Sequence, residues 1–421
     1  DALASLAHDW NDMRGVGTWI RGEDCDKFEN VRCDDDGHVI ALNTRGCSLV
    51  APLPTALFAL SHLKDLELEL CRQIPRSLPD LSGKSSSPMG LTTVSHGNLK
   101  ASIPKELGNL QQLTRLHLFA NYLQESLPEQ LSQLQKLQSL HVSHHDHLSG
   151  ELPAWIFSLT DLTSLDIKGN NFSGSIPEAI SSLKQLRKLR IMEPMLSGSI
   201  PESIEALTNL QDLDLQGSRS MSGIIPACLG NLTGLTVLNF RKCGLSGSIP
   251  EAISSLKELR KLDLQANSLS GTIPAFIGNL TELITLFLND NAFSGSIPGT
   301  ISNLIQLCEL DLQSNNLSGT IPASIAHLQG LSYLGLGNNR LTGTMPAAIT
   351  TLTKLDYLSL EGNQLTGKVP SFDHTDPFNS FSGDPFNDSS NNDNDNDLTA
   401  SESPLPFNAT SLVKTLQLDS L

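Results

Sequence analysis

A proline returns through this chain at a nearly fixed interval: Pro54, Pro79, Pro104, Pro128, Pro153, Pro177, Pro201, Pro226, Pro250, Pro274, Pro298, Pro322, Pro346 and Pro370. The step is 24 residues nine times and 25 four times. Around these prolines, more loosely at Pro54 and Pro79, stands the same skeleton, clearest as Leu259, Leu262, Leu264, Asn267, Leu269, Gly271, Ile273, Pro274, Ile277 and Leu280. A chain of 421 residues is too long for one globular core. A repeat of this period removes that ceiling, because each unit needs to pack only on its neighbours.

Each position of the skeleton has a physical role. Leu262 and Leu264 flank Asp263, so a short strand turns two leucines inward and one aspartate outward. Asn267 stands where the chain leaves the strand, and its amide suits the backbone groups that such a turn leaves unpaired. Stacked copies would form a buried ladder. Gly271 relaxes the backbone before Ile273 and Pro274, and proline fits a sheet edge or the start of a short helix. One unit buries too few apolar side chains to offset the entropy of ordering it, so only stacking stabilises the array.

After the asparagine the repeats read LSGSIP, LSGTIP, FSGSIP or LTGTMP between Phe172 and Pro346. This resembles the plant-type leucine-rich repeat, and the resemblance covers roughly residues 1–370. It implies an α/β solenoid: a right-handed superhelix with a parallel β-sheet on its concave side, short 3-10 or α turns on its convex side, and an N-terminal helical cap. The expected organisation is a cap over residues 1–50, about 13 repeats over 51–370, a degenerate C-terminal cap over 371–386 and an acidic, disordered tail over 387–421. Residues 72–103 keep the spacing but not the leucines and read as one frayed repeat. Pro194 stands where asparagine belongs, so the ladder is expected to lose an amide there.

Cys25 and Cys33 resemble the paired cysteines of the plant-type cap, with Phe28 near its tryptophan, Asn30 in place of a glycine and Val31 matching. The resemblance implies a Cys25–Cys33 disulfide and an oxidising compartment. Two buried free thiols are the other reading. Cys47, Cys71 and Cys243 fall at or near the asparagine position, and Cys228 and Cys308 on the flanks, so these five read as core residues whose pairing the sequence leaves open. The DDDGH that follows Cys33 reads as a solvated turn rather than a calcium loop. The net charge of −17 is concentrated at the ends: residues 1–50 carry −5 and residues 371–421 carry −8, leaving −4 for the repeats. That balance argues against nucleic acid. No run of apolar residues is long enough to span a membrane, so a membrane enters only through a segment outside this chain.

The outward strand positions stack into columns on the concave face. The candidate ligand-binding residues there are Lys188, Arg190, Asp212, Asp214, Arg241, Lys261, Asp263, Phe287, Glu309, Asp311, Tyr333 and Tyr357. Asn289 reads as a surface residue of the same face. His117, His141, His144, His145 and His147 are the only cluster with metal-binding potential, and most of them fall on a loop, so ordinary surface is the simpler reading. No catalytic signature is present and no cofactor is implied. Sequons at Asn171, Asn231, Asn279, Asn316, Asn387 and Asn408 suit a secreted glycoprotein.

Together these features predict a non-enzymatic, extracellular or cell-surface recognition module that binds a protein or peptide, with a co-receptor among the partners the resemblance implies. A secreted inhibitor of cell-wall hydrolases, like the polygalacturonase-inhibiting proteins, is an alternative. So is a structural or ice-facing protein using the convex row Ser175, Ser199, Ser248, Thr272, Ser296, Thr320 and Thr344.

Overall fold

The structure, a computed structural model, describes residues 31–43, 55–69, 103–119, 124–145 and 147–368. The chain divides into two units, Asp1–Phe386 and Asn387–Leu421. The second unit lies outside the described residues, as does the C-terminal cap expected over 371–386.

Alternating leucines make the main sheet. It contains fourteen strands among the described residues. The first, Val31–Cys33, runs antiparallel to Val39–Asn43, with Val31 opposite Leu42. Every later neighbour is parallel, one repeat to the next, and like positions face each other: Leu213, Leu238, Leu262 and Leu286 lie side by side. The helical cap expected over residues 1–50 is therefore not supported. Its described part, 31–43, is a strand pair, and residues 1–30 lie outside the described set.

The proline period makes the opposite edge. Ala275–Asn279 is a 3-10 turn led by Pro274 in an extended conformation, and Leu280 closes it by donating its N–H to Ile277. Proline suits this place because its fixed φ is compatible with the turn and its missing N–H would have had no partner there. The same turn recurs in every described repeat, and no α-helix occurs among the described residues. Gly271 has φ +83, the left-handed backbone that a side chain disfavours. Short strands after the ladder position build a flanking surface of two sheets, of five and six strands, linked by one isolated bridge between Ile224 and Ser246.

Two features depart from the periodic reading. Strand Asp65–Glu69 pairs directly with Arg115–Phe119, with Leu66 opposite Leu116, although fifty residues separate them. The frayed repeat expected over 72–103 thus places no strand between them; most of its residues lie outside the described set. The second departure is in the ladder. From Asn267 on it is regular: Asn267 Oδ1 accepts the N–H groups of Cys243 and Leu245 at 3.0 Å, and Nδ2 donates to the carbonyls of Phe240 and Leu264. Asn291, Asn315, Asn339 and Asn363 repeat the pattern.

Upstream the same row of carbonyls is met by other chemistry. Cys243 Sγ reaches Leu215, Ser218 Oγ reaches Ile191, Asn170 Nδ2 reaches Val142 and His145 Nε2 meets Leu118. Pro194 does not leave the position empty, as its sequence place suggested, because Glu193 fills it. Glu193 is fully buried and accepts from the N–H and Nδ2 of Asn170 and from the N–H of Phe172. Burial pushes its carboxyl above the usual range, against the pull of those donors.

Candidate functional site

The pleat turns three columns of side chains to the outward face of the main sheet. The central column was expected to be exposed, yet Asp166, Asp214, Asn239, Asp263 and Asp311 are each less than a tenth exposed. Columns of longer side chains on both sides cover it. Asp214, Asp263 and Asp311 also serve the backbone, since each accepts the N–H of the residue two further on, Gln216, Gln265 and Gln313. That N–H is thereby withdrawn from the sheet, and each of these strands ends at its aspartate. Burial raises the carboxyls of Asp214 and Asp311. These three predicted ligand contacts are therefore strand-ending groups beneath the surface.

What remains accessible is the pair of outer columns and, within the central column, Arg190 and Phe287. Lys188 bridges to Asp166 at 3.4 Å and Lys261 to Asp263 at 3.5 Å. Arg190 donates from Nε to Asp212 Oδ2 at 3.0 Å and from Nη2 to the same oxygen. Arg241 lies next along the face, with its Nε buried and without an acceptor. Further on, Phe287 and Glu309 are half-buried, and Tyr333 stacks on Tyr357 with ring centroids 4.3 Å apart and planes 5° from parallel. The expected surface residue Asn289 is instead buried, with its Oδ1 unpartnered. Gln313 and Ser359, which were not among the expected contacts, join this end of the face. Ser359 Oγ lies 2.7 Å from Gln313 Oε1, across the intervening repeat, and 2.8 Å from Glu361 Oε2, its one hydrogen shared between the two. The signal was there in Gly335 and Gly337, which leave that repeat without side chains at two outward positions.

The five histidines do not converge. His117 and His141 are neighbours, with centroids 5.6 Å apart, and Phe119 meets His141 edge-on at 4.5 Å. Burial pushes His141 down to about 4, while Asp166 at 3.9 Å pulls the other way, so the imidazole is neutral near pH 7. His145 is a buried ladder member rather than a surface loop residue. His144 and His147 are exposed. Among the described residues the one group with ligand atoms close enough for a metal is Asp34, Asp36 and His38. It is the solvated turn expected from DDDGH, in which Asp34 Oδ1 accepts the N–H groups of Asp36 and His38.

On the remaining surfaces, Asn171, Asn231 and Asn279 are exposed and Asn316 is half-buried, all away from the main sheet; Asn387 and Asn408 lie outside the described residues. Cys33 is disulfide-bonded, and its expected partner Cys25 also lies outside the described residues. Cys228, Cys243 and Cys308 are free. The row from Ser175 to Thr344 is exposed, and its side chains lie against the glycines of the following repeats, as Thr272 does beneath Gly295.

Models of the leucine rich repeat match residues 161–183, 234–256, 257–317 and 305–365. The chain is a plant-type leucine-rich-repeat protein. Among solved structures, it is similar to the Arabidopsis receptor kinase HAESA in complex with the peptide hormone IDA and the co-receptor SERK1. Identity is 30%, the TM-score is 0.72, and the match covers 88% of this chain and 56% of that one. A TDR receptor is 36% identical with a TM-score of 0.62, covering 64% of this chain and 47% of that one. The plant peptide hormone receptor RGFR1 in complex with RGF2 is 26% identical with a TM-score of 0.57, covering 81% and 65%. This leucine-rich-repeat chain thus spans less than two thirds of each of these three. No helix among its described residues is long and apolar enough to cross a membrane.

Proposed function

We propose that this chain is a non-enzymatic extracellular recognition module that binds a protein or peptide across the outward face of its main sheet, from Lys188 to Tyr357. The observation that carries the reading is the composition of the accessible columns. Half-buried Lys188, Arg190, Asp212 and Lys261 give way to Phe287, Tyr333 and Tyr357 along one continuous parallel sheet. Aromatic anchors beside charges whose long side chains are already held by ion pairs are what protein recognition favours. The likeness to peptide-hormone receptors supports the same ligand class. The disulfide at Cys33 supports an oxidising compartment.

The test is capture of partners from extracellular extract. Lys188→Glu/Lys261→Glu changes accessible groups of the face, and Ser248→Arg/Thr272→Arg changes the exposed flanking row. Loss of a partner with the first pair alone supports the reading. Loss with the second pair alone overturns it.

A further inference from the structure

The carboxylates of the main sheet face fall into two classes. Toward the N-terminus most aspartates of the face are met by cations: Asp65 has Arg32 and Arg115, Asp166 has Lys188, Asp212 has Arg190 and Asp263 has Lys261, while Asp214 is held by Asn239 and the Gln216 N–H within the field of Arg190. From Thr285 to Glu361 the outward positions carry no lysine, arginine or histidine. Asp290, Glu309, Asp311 and Glu361 are held there by neutral groups only. Thr285 Oγ1 donates to Glu309, Tyr333 Oη to Asp311, Ser359 Oγ to Glu361, and the amides of Gln265 and Asn289 to Asp290.

Two independent features lie within this stretch. The Tyr333–Tyr357 stack has an exposed member in Tyr357. Asn289, two residues past the strand Thr285–Phe287 and 7% exposed, keeps an acceptor oxygen with no donor. Gly335 and Gly337 let Asp311, Gln313 and Ser359 fold together beside the tyrosines. A Cβ at Gly335 would stand 2.5 Å from Asp311 Oδ1 and 2.6 Å from Gln313 Nε2. The stretch thus combines uncompensated negative charge, aromatic rings and a spare acceptor, and every one of these is satisfied by a cation that donates hydrogen bonds.

Resting on the recognition reading above, we infer that the face from Phe287 to Glu361 binds a cationic peptide segment. An arginine or lysine side chain packs on the Tyr333–Tyr357 pair, with its charge balanced by the accessible Glu309 and Glu361 and, from beneath the surface, by the field of Asp311. Ion pairs within the chain leave the Lys188–Lys261 stretch nearly neutral, so charge selection belongs to the C-terminal third of the face.

The probe is an acetylated, amidated tetra-arginine peptide, with tetra-citrulline as its neutral counterpart, titrated calorimetrically against the full chain. Tetra-arginine is expected to bind and tetra-citrulline to bind at least ten-fold more weakly. Glu309→Gln/Glu361→Gln should lower the tetra-arginine affinity about ten-fold or more. Tyr357→Ala, which changes no charge, should lower it roughly three- to thirty-fold. Glu178→Gln/Glu202→Gln removes the same charge from the exposed 3-10 turns and should leave affinity within two-fold. Equal loss in that control, no loss with Tyr357→Ala, or equal binding of the two peptides overturns the inference. If the inference fails while Lys188→Glu/Lys261→Glu still abolishes partner capture, the broader reading stands alone. If tetra-arginine behaves as described and no partner is captured, the cationic site stands and the broader reading falls.

Discussion

Asn170 donates its side-chain amide to Glu193 Oε1 over 2.8 Å, and both residues are buried. An acid thus stands in a row where asparagine, serine, cysteine and histidine otherwise meet the carbonyls of the preceding repeat. Glu193 only accepts. Because burial raises its pKa in the fold, protonation is favoured in the folded chain. Its contribution to stability is greatest below the pKa of the unfolded carboxyl, and is lost as pH rises through the folded one. Glu193→Gln should therefore raise the urea midpoint at pH 7, by roughly 1–2 kcal/mol of stability, with little gain near pH 4. An equal effect at both pH values would mean that ionisation of Glu193 does not matter.

Asn267→Leu should cost several kcal/mol, about 3–5, because it strips partners from the Cys243 and Leu245 N–H groups and from the Phe240 and Leu264 carbonyls at once. Asn289→Leu removes a single donation to Asp290 together with an oxygen that has no partner, and should cost less than about 1 kcal/mol. Chemical denaturation of the two variants side by side is the measurement. Equal midpoints would contradict the ladder.

His141 titrates in the other direction. Its folded value, about 4, lies below the unfolded value of 6.5, so the fold favours the neutral ring. The associated stability is complete above pH 6.5 and is lost as pH falls toward 4. His141→Gln should flatten that decline by on the order of 1–2 kcal/mol, read from melting curves between about pH 7 and pH 4. A wild-type decline of unchanged steepness in the variant would assign it to other groups.

Free thiols report the packing directly. Burial pushes Cys243 up to about 12, and it donates to a ladder carbonyl, whereas Cys228 and Cys308 are half-buried. Iodoacetamide at about pH 8 should label Cys228 and Cys308 in the folded chain at least ten-fold faster than Cys243. Comparable rates, measured by peptide mass mapping, would place Cys243 outside the core.

The stacking was legible because it is periodic. Leu262, Leu264, Asn267, Gly271 and Pro274 take the places their spacing assigns. The site was less so. Alternation along a strand says that Asp214 and Asp263 face outward, but it carries nothing about how far the neighbouring columns overhang them. Glu193 was hidden by Pro194, since a proline at the expected ladder place draws the eye from the residue before it. Residues 72–103 kept a proline on the period, so spacing alone gave no sign that the sheet passes directly from Asp65–Glu69 to Arg115–Phe119.

That direct pairing bears on the order in which the chain assembles. Elsewhere consecutive parallel strands meet by closing a loop of one period, but Lys64 receives the N–H groups of Thr114 and Arg115 across twice that distance. Doubling a loop adds about 0.6 kcal/mol to its closure entropy, and the repeats on the C-terminal side have no such step. That term favours nucleation among the uniform asparagine repeats. The strands of Val39–Asn43 and Asp65–Glu69 are then expected to join an array that already exists and to be the first to leave it, which site-resolved hydrogen exchange would show as their earlier loss of protection.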